Sequence, residues 1–502
     1  MAWSAKPSQR SGRQSARDNS VNEVSSNSPV CRVRCEVTGT KSALENLVHY
    51  SQDINYWRAI IATIWSRPAA LSLLASTVLL GHSVCGQEAA TALAPLIATN
   101  QPLTTLNPQP STLPTDLRLG PFDIQPQIAA RVTYDDNIFT SSRDPKPDVF
   151  WSLQPSFLAV AGDRLAIEDY RRTYHEVVSF SPDTFIITEP SEWPGRTLMV
   201  DYGPRFNWFT KYNQNNCVDE FLKINALWPM HKMILGLRQD YTREDTAVVE
   251  AGGRARRQTI PTILMAGYQF SERTTAEVNL NYTSVSYEQD QGLADYTDWN
   301  WDNWLNYQYS PLFNLALGAN LGVLDLPSQP RQTYEIPMVR ARFRYGSRIL
   351  LDGSVGVQLR QYEGGIPHST EPVFSLTAHY EASDRSSFRL TGFQRETPSI
   401  FFGFNYLSTG ASLGFQQRFG DRYYASLEMT YYDINYLGTS PGFITTAQAK
   451  RVDNVFEVRP AFEVRFSRHL FGSVFYLFRT AQSAQWDGWT DNQIGTRFSW
   501  AF

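Results

Sequence analysis

The residue types that could carry catalysis are few and scattered. Gly410-Ala411-Ser412-Leu413-Gly414 matches the G-x-S-x-G of a nucleophile elbow. That motif works only where a strand-to-helix turn lifts the serine out for attack. Here it sits inside an alternating apolar/polar stretch, 404–419, with no helical pattern after it, so small residues in a strand are the expected reading. Beyond residue 100 the histidines are His175, His231, His368, His379 and His469. His231 and His469 fall in short predicted turns, and nothing assembles a Ser/His or Asp/His set. Asp135-Asp136-Asn137 and the pair Asp298/Asp302 offer oxygen ligands for a divalent cation, yet turn residues that cap strand ends explain them more simply. Cys31-x-x-x-Cys35 lacks the second pair a zinc site needs, and Cys85 and Cys217 stand apart. No P-loop or dinucleotide fingerprint is present. The reading is of no catalytic residue, no cofactor and no metal.

The chain does carry charge laid out in rows. Arg340, Arg342 and Arg344 recur at every second position, opposite Val339, Ala341, Phe343 and Tyr345. The segment before them offers small residues at the same period: Ala316, Gly318, Asn320 and Gly322. Long cationic side chains beside small ones would leave a lumen free and bias a water-filled passage toward anions. The structural alternative is bracing. Across the tight turn at 346–348, Asp352 would face Arg342 and neutralise it, and Glu457/Arg459 and Glu463/Arg465 look similarly balanced. Both alternatives make these eight residues candidates for the lining of a pore.

Such rows need strands to hold them, because only a period of two sends neighbouring side chains to opposite faces. Phe313, Leu315, Leu317, Ala319, Leu321 and Val323 oppose Asn314, Ala316, Gly318, Asn320 and Gly322. Phe456, Val458, Pro460, Phe462, Val464 and Phe466 oppose Glu457, Arg459, Ala461, Glu463 and Arg465. The alternating segments run about a dozen residues, twice the usual soluble strand of about five or six. Short polar turns (229–231, 271–273, 346–348, 420–422, 467–469) alternate with longer Asp/Gly/Ser-rich loops (244–257, 289–296, 364–370, 438–452, 483–490). Aromatics cluster at segment ends. That is the rhythm of a transmembrane antiparallel up-and-down β-barrel with short periplasmic turns and longer extracellular loops. The tally is about eighteen strands, within a range of sixteen to twenty, the segment 163–196 being the uncertain part as a long turn or plug. Pro460 inside a strand predicts a local break in the ladder.

Composition agrees. The 502 residues are 19% charged, 42% hydrophobic and 13% aromatic, with a net charge of −4, and the mean hydropathy is −0.35. That is too polar for a helical membrane protein, and it carries no Lys/Arg stripe for nucleic acid. Phe498, Trp500 and Phe502 share one face of the last segment, an aromatic pattern of the kind read by barrel-assembly machinery. Residues 57–86 (WRAIIATIWSRPAALSLLASTVLLGHSVCG) have the charge, apolar core and small-residue end of a signal peptide. Residues 1–56 then read as a disordered leader or a misplaced start, and 87–119 as a Pro/Thr-rich periplasmic linker.

Leu119-Gly-Pro-Phe-Asp-Ile with Tyr134-Asp-Asp-Asn-Ile-Phe, Phe343-Arg-Tyr with Leu351-Asp-Gly-Ser-Val-Gly-Val-Gln, and Val455-Phe-Glu-Val-Arg-Pro resemble the β-barrel porin type 2 family over about 120–502. The resemblance implies an outer-membrane barrel in 120–502 and brings no catalytic residues. Some members of that family are associated with exopolysaccharide export or surface assembly. The expected function is a porin-like channel for small polar solutes in the outer membrane of a Gram-negative bacterium. Lipid, lipopolysaccharide and barrel-assembly machinery are the expected partners. The alternatives are a barrel serving polysaccharide export or envelope assembly, with export partners, and an outer-membrane enzyme.

Overall fold

A strand with one apolar and one polar face must find two different solvents, and a closed cylinder supplies them. In the computed structural model the described residues are 117–162, 195–248, 250, 253–288, 293–327, 330–346, 348–363, 368–401, 404–438, 451–467, 469–483 and 487–502. The expected leader, the signal peptide, most of the linker and most of the 163–196 segment lie outside them.

Twenty strands form one antiparallel sheet. The two-residue strand Arg118–Leu119 only extends the edge of the next one. The first two staves are β1 (Phe122–Asp135) and β2 (Asp148–Gly162). Next come β3 (Thr197–Tyr202, resuming as Arg205–Phe209), β4 (Cys217–Pro229), β5 (Met233–Val248) and β6 (Gly253–Gln269). They continue as β7 (Thr274–Tyr287), β8 (Tyr296–Ser310), β9 (Phe313–Asp325), β10 (Gln332–Tyr345), β11 (Ile349–Tyr362) and β12 (Ser369–Ser383). The last six are β13 (Ser386–Pro398), β14 (Phe404–Phe419), β15 (Tyr423–Gly438), β16 (Val452–Arg465), β17 (Leu470–Ser483) and β18 (Trp489–Ala501). Each pairs with its sequence neighbour. β1 also pairs with β18, from Gln127↔Ala501 to Asp135↔Gln493, and so closes an eighteen-stranded barrel.

The exterior is apolar. Leu317, Val355, Leu390, Val474 and Trp500 are about half exposed, with Trp299, Trp301, Tyr307 and Tyr309 beside them on one strand. The inner wall is polar and close-packed: Asn300 is 0% exposed, Asp302 1%, Arg340 5% and Asp491 0%. An apolar outside around a charged inside inverts a water-soluble protein and matches a wall between lipid and water.

Two expectations about the strands change, and a third, the break at Pro460, is met. Segment 197–212 reads as one strand but breaks at Gly203-Pro204, where proline has no N–H for the ladder. The loop expected at 244–257 shrinks to a short connection, because β5 and β6 stay paired through Glu244↔Arg257 and Asp245↔Arg256 up to Val248↔Gly253. The sequence there is polar on both faces, so alternation of hydrophobicity could not mark it as strand. At Pro460 the ladder to β17 skips from Val458↔Phe478 to Ala461↔Phe475 with no change of register, while pairing to β15 continues.

Candidate functional site: the lumen wall and the strand tucked across it

Of the residues expected to line a pore, Arg340 and Arg342 lie on the inner face of β10. Arg340 packs over the indole of Trp304 at 4.8 Å and donates to Asn306 Oδ1 at 3.1 Å. Arg342 Nε donates to Asp352 Oδ2 at 2.6 Å, its directly paired neighbour on β11. Arg344 is exposed at the short-turn end. Arg459 Nη2 donates to Glu457 Oε1 at 3.0 Å and also stands 3.8 Å from Glu428. Glu463 and Arg465 do not pair with each other among the described residues; the Arg465 guanidinium instead lies 5.8 Å from the Phe471 ring. Phe498, Trp500 and Phe502 are exposed on the outer face.

The row of small residues on β9 does not leave the lumen free as expected. A Cβ at Gly318 would come within 2.3 Å of the Trp304 ring, and one at Gly322 within 2.0 Å of the Tyr334 ring. The glycines seat two inward aromatics of β8 and β10. Trp304 Nε1 then donates to Asp302 at 2.8 Å, and the Tyr334 hydroxyl donates to Asp298 at 3.0 Å. Asp298 and Asp302 thus bind neighbouring side chains. Ser412 of the G-x-S-x-G stretch sits mid-strand in β14, paired with Thr391 and Thr430, where no turn lifts it out for attack. Asp135, Asp136 and Asp491 bring carboxylate oxygens within 4.8 Å of one another at the β1–β18 junction. Their neighbours occupy them: Asn492 donates to Asp136 at 2.7 Å, Gln493 to Asp135 at 3.0 Å, and Arg479 to Asp491 at 2.5 Å.

The most informative feature escaped the sequence. β12 and β13 pair only from Ser383↔Ser386 to Phe374↔Gln394. Beyond that point β13 stays paired with β14 as far as Pro398↔Asn405 but leaves β12. β14 keeps its pairing with β15 up to Phe404↔Gly438, so the wall overlaps itself at the long-loop end. The end of β13 tucks inside β10 and β11. By strand parity Glu396 belongs to the outer face with Leu390 and Gln394, yet its side chain is 0% exposed. Its carboxylate lies 2.9 Å from Arg360 Nε, accepts from Gln358 Nε2 at 2.8 Å and from Asn405 Nδ2 at 2.7 Å. Asn405 also reaches Gln332 Oε1 at 2.9 Å. The other side of this hairpin packs Phe393 and Tyr406 against Tyr432, Ile434, Tyr436, Val455, Ala481 and Trp489 of the following strands β15–β18.

The tip meets two loops from the far side of the barrel. Ser399 Oγ donates to Glu250 Oε1 at 2.8 Å and the Ile400 amide to Glu250 Oε2 at 3.3 Å. Leu293 bridges Phe401, and the Ala294 amide donates to the Ile400 carbonyl at 2.7 Å. Ile400 is buried with Val248 and Ala255, and Leu293, Phe401 and Tyr287 pack around them. Arg451 Nη2 donates to the Glu250 carbonyl at 3.3 Å. Burial pushes the Glu250 carboxyl up to about 7, against the pull of these donors. The one signal in the sequence was polar residues, Glu396 and Asn405, at positions whose parity assigns them to lipid.

No family model and no curated protein matches the chain. Solved outer-membrane proteins resemble it at a distance. OccAB4 of Acinetobacter baumannii is 12% identical, covers 76% of this chain and 98% of its own, and superposes with a TM-score of 0.38. OpdK of Pseudomonas aeruginosa, solved with vanillate, is 10% identical over 76% and 99%, with a TM-score of 0.39. The siderophore receptor PirA of P. aeruginosa is 11% identical over 75% and 80%, at 0.37.

Proposed function

We propose that the chain is an outer-membrane channel that lets small polar solutes diffuse across, with weak charge selectivity. The observation that carries this is the closed eighteen-stranded wall, apolar outside and charged inside. Barrels of eight strands are filled by their own side chains, whereas sixteen to eighteen enclose an aqueous passage. The short turns then face the periplasm and the long loops the cell exterior. Weak selectivity follows from pairing: the inner cations at Arg342, Arg459 and Arg479 each have a carboxylate within 3.0 Å, so little net charge remains to sort ions. Membership in the β-barrel porin type 2 family is part of the same reading. Single-channel recording of the purified protein in a planar bilayer tests it. Stable conductance steps with a small reversal potential in a salt gradient are expected. A folded barrel that never conducts under any condition overturns it.

A further inference from the structure

We infer that the tucked end of β13, residues 395–401, is a strap that gates the channel, swinging between its place inside the lumen and a place in the wall alongside β12. This rests on the channel reading above and goes beyond it. The wall holds a vacant position for the strap. Residues 369–373 of β12 pair with β11 on one side, while on the β13 side their ladder stops at Phe374 among the described residues. Continuing the register of Phe374↔Gln394 would set Pro372 opposite Glu396 and Thr370 opposite Pro398. The Pro372 carbonyl faces this side, since Gln394 Nε2 donates to it at 2.8 Å. The backbone of every second residue along that edge therefore points the same way. Both prolines fall at positions that would bond across the seam, and neither has an N–H to give. Two ladder bonds are missing from the zipped form, so the strap gains by making side-chain contacts inside instead.

Those contacts have a root and a latch. The root is Glu396, held by Arg360, Gln358 and Asn405. The latch is Glu250, whose carboxylate accepts from the strap at Ser399 and Ile400. The groups facing Glu250 are Arg451, itself paired with Asp453, and the hydroxyls of Tyr436, Tyr432, Tyr406 and Tyr287. Its carboxyl titrates near 7 in the tucked form, and in water it would return toward the ordinary 4.5. The tucked form thus keeps its proton to higher pH. It is favoured fully below about 4.5, and it loses that advantage as pH rises through about 7. The strap closes in acid and releases above neutrality, with an equilibrium change on the order of a hundredfold.

The test is bilayer conductance of the full chain from pH 5 to pH 8.5, in wild type and three variants. Wild type is expected to open increasingly above pH 7. Glu250→Gln, which still accepts hydrogen bonds but cannot ionise, is expected to gate without pH dependence. Pro372→Thr/Pro398→Thr restores two ladder donors and is expected to raise the open population on the order of fivefold per bond. Leu293→Cys/Phe401→Cys joins a pair already bridged as neighbouring strands, within disulfide reach. Oxidised, it is expected to stay closed at every pH, and reductant should restore opening, with wild type under the same oxidant as control. Gating that is indifferent to the disulfide overturns the strap and leaves the channel standing. Silence in every variant at every pH overturns the channel reading, and the strap with it.

Discussion

Replacing Glu396 by alanine should be among the most damaging single changes in the barrel. The carboxylate and the Arg360 guanidinium are nearly sealed, at 0% and 3% exposure, and 2.9 Å apart. Removing one partner of such a pair strands the other charge in a site with little water, a penalty of about 3–5 kcal/mol. Arg360 keeps its bond to Gln332 at 2.8 Å and its place over the Tyr334 ring. Those contacts soften the loss, which places the expectation near the lower figure. Gln358 and Asn405 lose their acceptor as well. The double change Glu396→Ala/Arg360→Met removes both charges and fills the arginine's volume with an apolar chain. It should recover most of the stability, because the cost lies in the orphaned charge rather than in the missing attraction. Urea unfolding from lipid vesicles, followed by tryptophan fluorescence, gives both numbers. A loss below about 1 kcal/mol for Glu396→Ala, or a double variant no better than the single one, would refute the buried root.

Further outcomes follow from the wall itself. Gly322→Ala should cost about 1–3 kcal/mol in the same assay, since the new methyl meets the Tyr334 ring at 2.0 Å. Leu317→Arg, near the middle of the outer face of β9, should cost about 2–4 kcal/mol and slow insertion into vesicles, whereas the same change in a soluble barrel would be nearly silent. Arg342→Ser releases Asp352 from its 2.6 Å pair and should shift the reversal potential toward cations, although the pair, about a quarter exposed, adds only about 1 kcal/mol or less to stability.

Much of the barrel was legible because lipid and water write opposite letters on alternate residues. β9 and β16 show this: Leu315, Leu317 and Leu321 against Ala316, Gly318 and Asn320, and Phe456 and Phe462 against Glu457 and Glu463. Even Trp304, an indole among asparagines and aspartates, shares the parity of Asn300, Asp302 and Asn306, and it is fully buried on that face. The paired ends of β5 and β6 at the long-loop rim were not legible, since charged residues fall on both faces and Glu244, Asp245, Arg254 and Arg257 write no period. The tucked strap was hidden for a different reason. Its position depends on partners in β10, β11 and two distant loops, and a period-two pattern records which solvent a residue faces but not which strand stands behind it. Parity alone sets Arg340 and Arg342 on the inner face of β10. Two partners of such arginines were reachable from the sequence, Asp352 through a tight turn and Glu457 two residues from Arg459 on the same face, whereas the contacts of Arg340 and Arg465 depend on cross-strand register.

The junction of β1 with β18 has a consequence for how the molecule can form. Asn137 Nδ2 donates to the Thr490 carbonyl at 2.9 Å, across 353 residues of chain, and this contact exists only when every intervening hairpin is already in place. Until then the growing sheet has two raw margins, and each amide on them costs several kcal/mol in hydrocarbon. Intermediates are therefore penalised at both borders at once, and the final pairing removes both penalties together. Folding into the bilayer is in this sense all-or-none: a chain lacking its last stave is not a slightly weaker cylinder but an open sheet with no stable home in lipid.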